Sequence, residues 1–269
     1  MAKINNDKYY TPIATANHCL KKVCEVIPLN KISHIIEPSV GGGAFLHSDM
    51  CIPNVAYDIE PECDSNTTNI IKGDFLLANI QYLKGRLIVG NPPYGRCLAL
   101  ARKFFRKATQ IADYIAFILP ISQLHNNMFF YEFDLIYSED LGKQMYSGRE
   151  LHCCFNIYKR PLSGEINDKP LSELNDITIY RQDNKGYSDI KEDIRMCYWG
   201  NGSAGKILSE GESYSGEYKI VINNPKLKNQ ILNVFNTFNW KLYAQSIAMC
   251  RIKQYHIVDV LRQYIPEIQ

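Results

Sequence analysis

Short apolar runs alternate with helical patterns through the first part of the chain, and this alternation limits the available folds more than any other feature. The runs are His34-Ile35-Ile36, Val55-Ala56-Tyr57, Leu87-Ile88-Val89, Tyr114 to Leu119 and Leu151 to Tyr158. Helical patterns lie at Pro12 to Val26 and Leu98 to Ile111. Such an order predicts an α/β fold, a parallel sheet with helices on both faces. Sheets of this kind bind ligands outside the carboxyl ends of their strands. Glu37, Asp58 and Asn91 each fall just after an apolar run, at those ends.

The texture changes after Lys159-Arg160-Pro161, where Pro161 to Glu165 has the composition of a linker. Beyond it, Ile177 to Tyr180 and Tyr218 to Ile222 are strand-like, and the chain turns helical from Pro225 onward. The expected organisation is a main domain over 1–160 and a small mixed α+β C-terminal region over 161–269. The nine cysteines include no Cys-x-x-Cys pair, which predicts reduced, packed thiols in an intracellular, cytoplasmic setting and neither a disulfide frame nor a metal site. No membrane-spanning run is present in the sequence, and residues 1–7 lack an apolar signal core. A net charge of +2 makes a nucleic-acid partner a matter of local basic patches. Candidates for such patches are Arg251, Lys253, Lys226, Lys228 and the aromatic-rich stretch from Phe235 to Tyr243.

Glu37-Pro38-Ser39-Val40-Gly41-Gly42-Gly43-Ala44-Phe45 follows the first strand directly. Consecutive glycines let a ligand approach the backbone, although a glycine-rich turn alone is a weak signal. Asp58, followed by Ile59, ends the next strand about 17 residues on, where a carboxylate can accept from both ribose hydroxyls. Asp74-Phe75 then offers a carboxylate for an adenine amino group beside an aromatic ring. In Tyr10-Thr11-Pro12, Thr11 is suited to cap a helix and Pro12 to open it, leaving free N–H groups for an anion.

Asn91-Pro92-Pro93-Tyr94 is the most specific tetrapeptide. An exocyclic amino nitrogen on a base is a poor nucleophile because its lone pair is delocalised into the ring. Two acceptors aimed at its hydrogens, the Asn91 side-chain oxygen and the Pro92 carbonyl, would hold it and favour a pyramidal nitrogen. Consecutive prolines stiffen the loop, and Tyr94 offers a face for stacking on an extruded base.

Residues 8–160 resemble the amino-methyltransferases of DNA, specifically the adenine-N6 group whose cofactor motifs precede the catalytic one. The resemblance rests on Tyr10-Thr11-Pro12, the loop from Glu37 to Phe45, Asp58, Asp74-Phe75 and Asn91 to Tyr94. It implies a seven-stranded, Rossmann-like methyltransferase sheet, S-adenosyl-L-methionine as cofactor, and a target adenine flipped out of double-stranded DNA, as in restriction-modification systems. It also implies cofactor contacts from Tyr10, Thr11, Pro12, Glu37, Pro38, Ser39, Gly41, Gly43, Phe45, Asp58, Ile59, Asp74, Phe75 and Asn91. Catalytic roles fall to Asn91, Pro92, Pro93 and Tyr94. A second aromatic, on a hairpin, is expected against the other face of the base; Tyr146 is the first candidate and Phe155 its competitor. Single-stranded DNA, RNA and a protein glutamine amide stay open as substrates. So do cytosine-N4 as the target and a cofactor-binding subunit without catalysis. No metal and no membrane is expected, and the oligomeric state is open.

Overall fold

A computed structural model describes residues 9–48, 50–169, 173–184, 186–200, 202–243 and 251–269. The stretch 1–7, expected to carry no signal core, and Lys8 at the start of the resemblance lie outside the described residues. The chain divides into two units, Met1–Asp168 and Lys169–Gln269.

In the first unit α1 (Ile13–Val26) precedes β1 (His34–Glu37), β2 (Val55–Asp58), β3 (Asn69–Lys72) and β4 (Arg86–Gly90). Helix α2 (Ala99–Ile111) leads into β5 (Tyr114–Pro120), and β6 (Asp134–Tyr146) and β7 (Arg149–Lys159) form a hairpin. The strands lie in the order β3-β2-β1-β4-β5-β7-β6. Strands β1 to β5 pair in parallel, whereas β7 runs antiparallel to both β5 and β6. This is the seven-stranded, Rossmann-like sheet that the resemblance implied. The apolar runs did not announce β3 and β6, because both are edge strands and carry few buried residues.

Side-chain alternation along the strands assigns the helices to opposite faces. Ala16, Cys19, Leu20 and Val23 of α1 share a core with Leu87, Val89, Ala116, Ile118, Phe155 and Ile157. On the other pleat, Phe105 of α2 meets Phe117 at 6.4 Å and Tyr158 at 5.0 Å. Strand β5 is buried from end to end, as a strand covered on both faces must be.

Beneath α2 lies a buried ion pair. Arg102 grips both Glu132 oxygens, Arg106 adds a contact at 3.4 Å, and the Arg102 guanidinium stands 4.9 Å from the Tyr131 ring. These contacts fix the segment between β5 and β6 against the helix.

The cysteines correct one expectation. Cys24 of α1 is bonded to Cys51, while Cys19, Cys63, Cys97, Cys153, Cys154 and Cys197 are free. The two partners are 27 residues apart, one on α1 and the other in the loop before β2, so chain spacing gave no sign of the pair. No helix among the described residues is long and apolar enough to cross a membrane.

The second unit holds a three-stranded antiparallel sheet in the order β8 (Ile177–Arg181), β10 (Glu217–Ile222), β9 (Ile194–Cys197). Its core joins that sheet to α3 (Lys228–Thr237) and α4 (Gln254–Tyr264) through Ile220, Ile231, Phe235, Trp240, Ile257 and Leu261.

Removing one partner of a buried ion pair strands the other charge. We therefore expect Glu132→Ala to lower the stability of the first unit by about 3 kcal/mol, measured by urea denaturation.

Candidate active site

The carboxyl ends of β1, β2 and β4 converge on one cleft, and the chemistry-bearing residues follow those strands immediately. A cavity of about 500 Å³ is lined by Tyr10, Pro38, Ser39, Gly41, Asp58, Ile59, Asp74, Phe75 and Asn91 to Tyr94. A smaller recess of about 100 Å³ adjoins it and is lined by Thr11, Glu37 and Phe45, with Tyr10, Ser39, Gly41 and Asn91 common to both. The larger volume falls within the roughly 300–1,000 Å³ of small-molecule sites.

The glycine loop is shaped by contacts that only glycine permits. Gly41 has φ +50°, and a Cβ there would lie 3.3 Å from the Tyr10 ring, which packs across the loop. Gly43 has φ +80°, and its Cβ would meet the Cys63 sulfur at 2.9 Å. Gly43 thus shapes the loop from behind and does not line the cavity.

Asp58 has a double task. One oxygen accepts the Gly41 N–H at 2.8 Å and the other accepts the Glu60 N–H at 2.9 Å. Each carboxylate oxygen keeps a further lone pair for a ligand hydroxyl. Asp74 accepts the Leu76 N–H at 2.8 Å, which orients its carboxyl group beside Phe75. Phe75 stacks on Phe104 of α2, with centroids 5.7 Å apart.

Asn91 is positioned by its neighbours. Its side-chain N–H₂ donates to Thr11 Oγ1 at 3.1 Å and to the Tyr9 carbonyl at 3.4 Å. The reversed amide would set its oxygen against the Tyr9 carbonyl, acceptor against acceptor, so the network fixes the orientation. Asn91 Oδ1 is thereby left buried without a protein donor. The Ser39 hydroxyl donates to the Asn91 carbonyl at 3.2 Å and ties the loop after β4 to the glycine loop.

Glu37 is 2% exposed, and its Oε2 also lacks a protein partner. Burial, aided by the nearby Asp58 charge, pushes its carboxyl well above the usual carboxylate range. A buried acid of this kind awaits a cationic or hydrogen-bond-donating partner.

Several expectations need correcting. Thr11 does not cap α1: Pro12 occupies the cap position and makes no side-chain bond, while the Thr11 hydroxyl accepts from Asn91. Pro12 itself lines neither cavity. Tyr94 borders the cleft, but its hydroxyl turns inward to Cys153 Sγ at 3.6 Å. Tyr146, expected against a base, is fully buried in the α1-side core beside Cys153, and Phe155 lies in the same core. Both project from the inward pleat of the β6–β7 hairpin, so neither reaches the cleft. Burial holds Cys153 as a thiol, its pKa pushed up to about 11.

Tyr9, Glu60, Glu62, Arg96, Leu100 and Phe104 also line the cavity and were not anticipated. Leu100 and Phe104 are one helical turn apart on α2, an i, i+4 pair directly downstream of Tyr94. That spacing was the available signal. Arg149 of β7 donates to the Tyr9 hydroxyl at 3.3 Å, and the Tyr10 N–H donates to Ser147 Oγ at 2.7 Å. Among the described residues, no three His, Cys, Asp or Glu side chains gather to hold a metal ion.

Glu37 makes the folded state sensitive to pH. Its folded pKa lies above the unfolded one, so its favourable contribution is complete below about 4.5 and is lost as pH rises through the folded value. Wild-type stability should therefore fall relative to Glu37→Gln between mildly acidic and alkaline pH, as compared by urea denaturation of the two proteins.

No family model matches the chain, and no curated protein does. Among solved structures, the chain is similar to a protein of Pyrococcus horikoshii named as a candidate RNA methyltransferase, with 15% identity over 57% of this chain and 88% of that one, TM-score 0.44. It is similar to magnesium protoporphyrin IX methyltransferase of Synechocystis PCC 6803 with bound S-adenosylmethionine, at 8% identity over 55% and 79% of the two chains, TM-score 0.41. It is also similar to the 23S rRNA methyltransferase ErmE, at 13% identity over 55% and 68%, TM-score 0.40.

Proposed function

We propose that the chain is an S-adenosyl-L-methionine-dependent DNA methyltransferase that methylates the exocyclic N6 amino group of a flipped adenine. The orientation of Asn91 carries this reading: a buried amide oxygen with no protein donor, held by two hydrogen bonds made from the other end of the same amide.

The cleft fits the cofactor part by part. Asp58 suits the ribose hydroxyls, and Asp74 with Phe75 suits the adenine amino group and ring face. The small recess holds an unpartnered buried carboxyl, Glu37, which matches the cofactor's ammonium group. When bound, the cofactor supplies a methyl group already activated by its sulfonium charge.

The chain's own residues then have a positioning task. Asn91 Oδ1 and the Pro92 carbonyl accept the two hydrogens of the target amino group. Withdrawing those hydrogens from the ring plane returns lone-pair density to the nitrogen and aims it at the methyl carbon. Pro92 and Pro93 keep the loop from relaxing away, and Tyr94 and Pro93 provide surface for the base. The methylated nitrogen carries an extra proton, which leaves through the same acceptors toward solvent.

The motif order and Tyr10-Thr11-Pro12 support DNA as the substrate. Asn91→Ala should reduce methyl transfer at least about a hundredfold, by analogy with loss of one preorganised polar contact, while calorimetric cofactor affinity stays within a few-fold. Mass spectrometry of nucleosides from DNA and RNA treated with the enzyme tests the target. N6-methyladenine confined to DNA is the expected result; N4-methylcytosine, methylated RNA alone, or full activity of the variant would overturn the reading.

A further inference from the structure

The second unit contains a cavity of its own, of about 560 Å³, lined by Arg181, Asp183, Tyr218, Arg251, Lys253 and the first turn of α4. Three cations face it against a single carboxylate, leaving a local excess of two positive charges in a chain whose total is +2. Arg181 forks onto Asp183, and the Asp183 side chain is 60% exposed, so solvent and incoming anions reach the pair and can compete for the fork. Arg251 and Lys253 are in no ion pair among the described residues.

The floor of the cavity is aromatic. Tyr218 is buried with its hydroxyl donating to the Ile252 carbonyl at 3.1 Å, and Tyr198 lies over it with centroids 4.4 Å apart. The Arg251 guanidinium stands 5.7 Å from the Tyr198 ring, so its plane is braced by an aromatic face. Lys253 is the cap residue of α4, and Gln254 and Tyr255 open that helix, so the positive end of an 11-residue helix borders the same space. Planar guanidinium groups, an ammonium group and a helix N-terminus share one ligand chemistry, the oxyanion, and on the nucleic-acid reading that oxyanion is a phosphate.

Resting on the nucleic-acid reading above, we propose that this cavity binds the phosphodiester backbone of the substrate strand, with Arg251, Lys253 and an exchangeable Arg181 as its phosphate contacts. Asp183 acts as the built-in competitor for Arg181. It holds the fork in place until a phosphate replaces it.

The test is fluorescence anisotropy of labelled DNA and RNA oligonucleotides across a salt series, using the full chain. The double variant Arg251→Ala/Lys253→Ala should bind about tenfold or more weakly, and its slope of log affinity against log salt should shrink by roughly 1.4 to 1.8, the loss of two phosphate contacts. Asp183→Asn, which frees Arg181, should bind more tightly with a steeper salt dependence. Calorimetric binding of S-adenosyl-L-methionine should be unchanged in both.

If the wild-type chain binds neither DNA nor RNA, the nucleic-acid reading fails together with the cavity. If it binds and the double variant matches it in affinity and slope, the cavity assignment alone is overturned. Displacement of the oligonucleotide by equimolar adenosine monophosphate, or by inorganic phosphate, would overturn it as well, identifying a free-anion pocket instead of a strand site.

Discussion

A side-chain amide has two hydrogens and one oxygen, and in Asn91 the fold commits the hydrogens to Tyr9 and Thr11. Much of the cleft depends on that arrangement. It decides which end of the amide faces the cavity, fixes the segment before α1 against the loop after β4, and leaves a buried acceptor in place before any ligand arrives. Preorganisation of this kind lowers the cost of ordering at the moment of reaction. The same segment reaches the hairpin through Tyr10 and Ser147, so elements far apart in the chain meet around one side chain.

Two unpartnered buried atoms at the cleft, Asn91 Oδ1 and Glu37 Oε2, complement each other chemically. One is a neutral acceptor suited to an amino group; the other is an acid driven toward its protonated form by burial and by Asp58. Leaving either unsatisfied costs stability, and a hydrogen-bond donor on a ligand in the cleft would remove that cost. Asp58 shows the opposite balance. Its backbone hydrogen bonds satisfy part of its capacity and hold the glycine loop in shape.

Much of this was legible in the sequence because strand ends, glycine loops and consecutive prolines are local. The strands β1, β2, β4, β5 and β7 and the helix α2 announce themselves through apolar runs and periodicity. Edge strands β3 and β6 do not, since one exposed face dilutes the apolar signal. The role of Thr11 was misjudged for a related reason. A hydroxyl before a proline-led helix is equally suited to capping, and only the folded chain shows that it serves Asn91 instead. Tyr146 was misplaced because a two-stranded hairpin has two faces, and the family motif does not reveal which of them a ring will occupy. The Cys24–Cys51 bond joins α1 to the loop before β2, a pairing that no local pattern encodes.

The hairpin of β6 and β7 closes through Ser147 and Gly148, both with positive φ, in the two-residue turn whose twist matches paired strands. Because Ser147 at its tip accepts the Tyr10 N–H, the hairpin works as a ruler whose length is read at the cleft. Adding one residue to each strand would carry the tip roughly 3.4 Å outward and reverse which pleat each side chain occupies. Length variation in this part of the chain is therefore restricted to whole pleat repeats accompanied by a shift of the N-terminal segment. That ties the freedom of an exposed turn to the geometry of an asparagine it never touches.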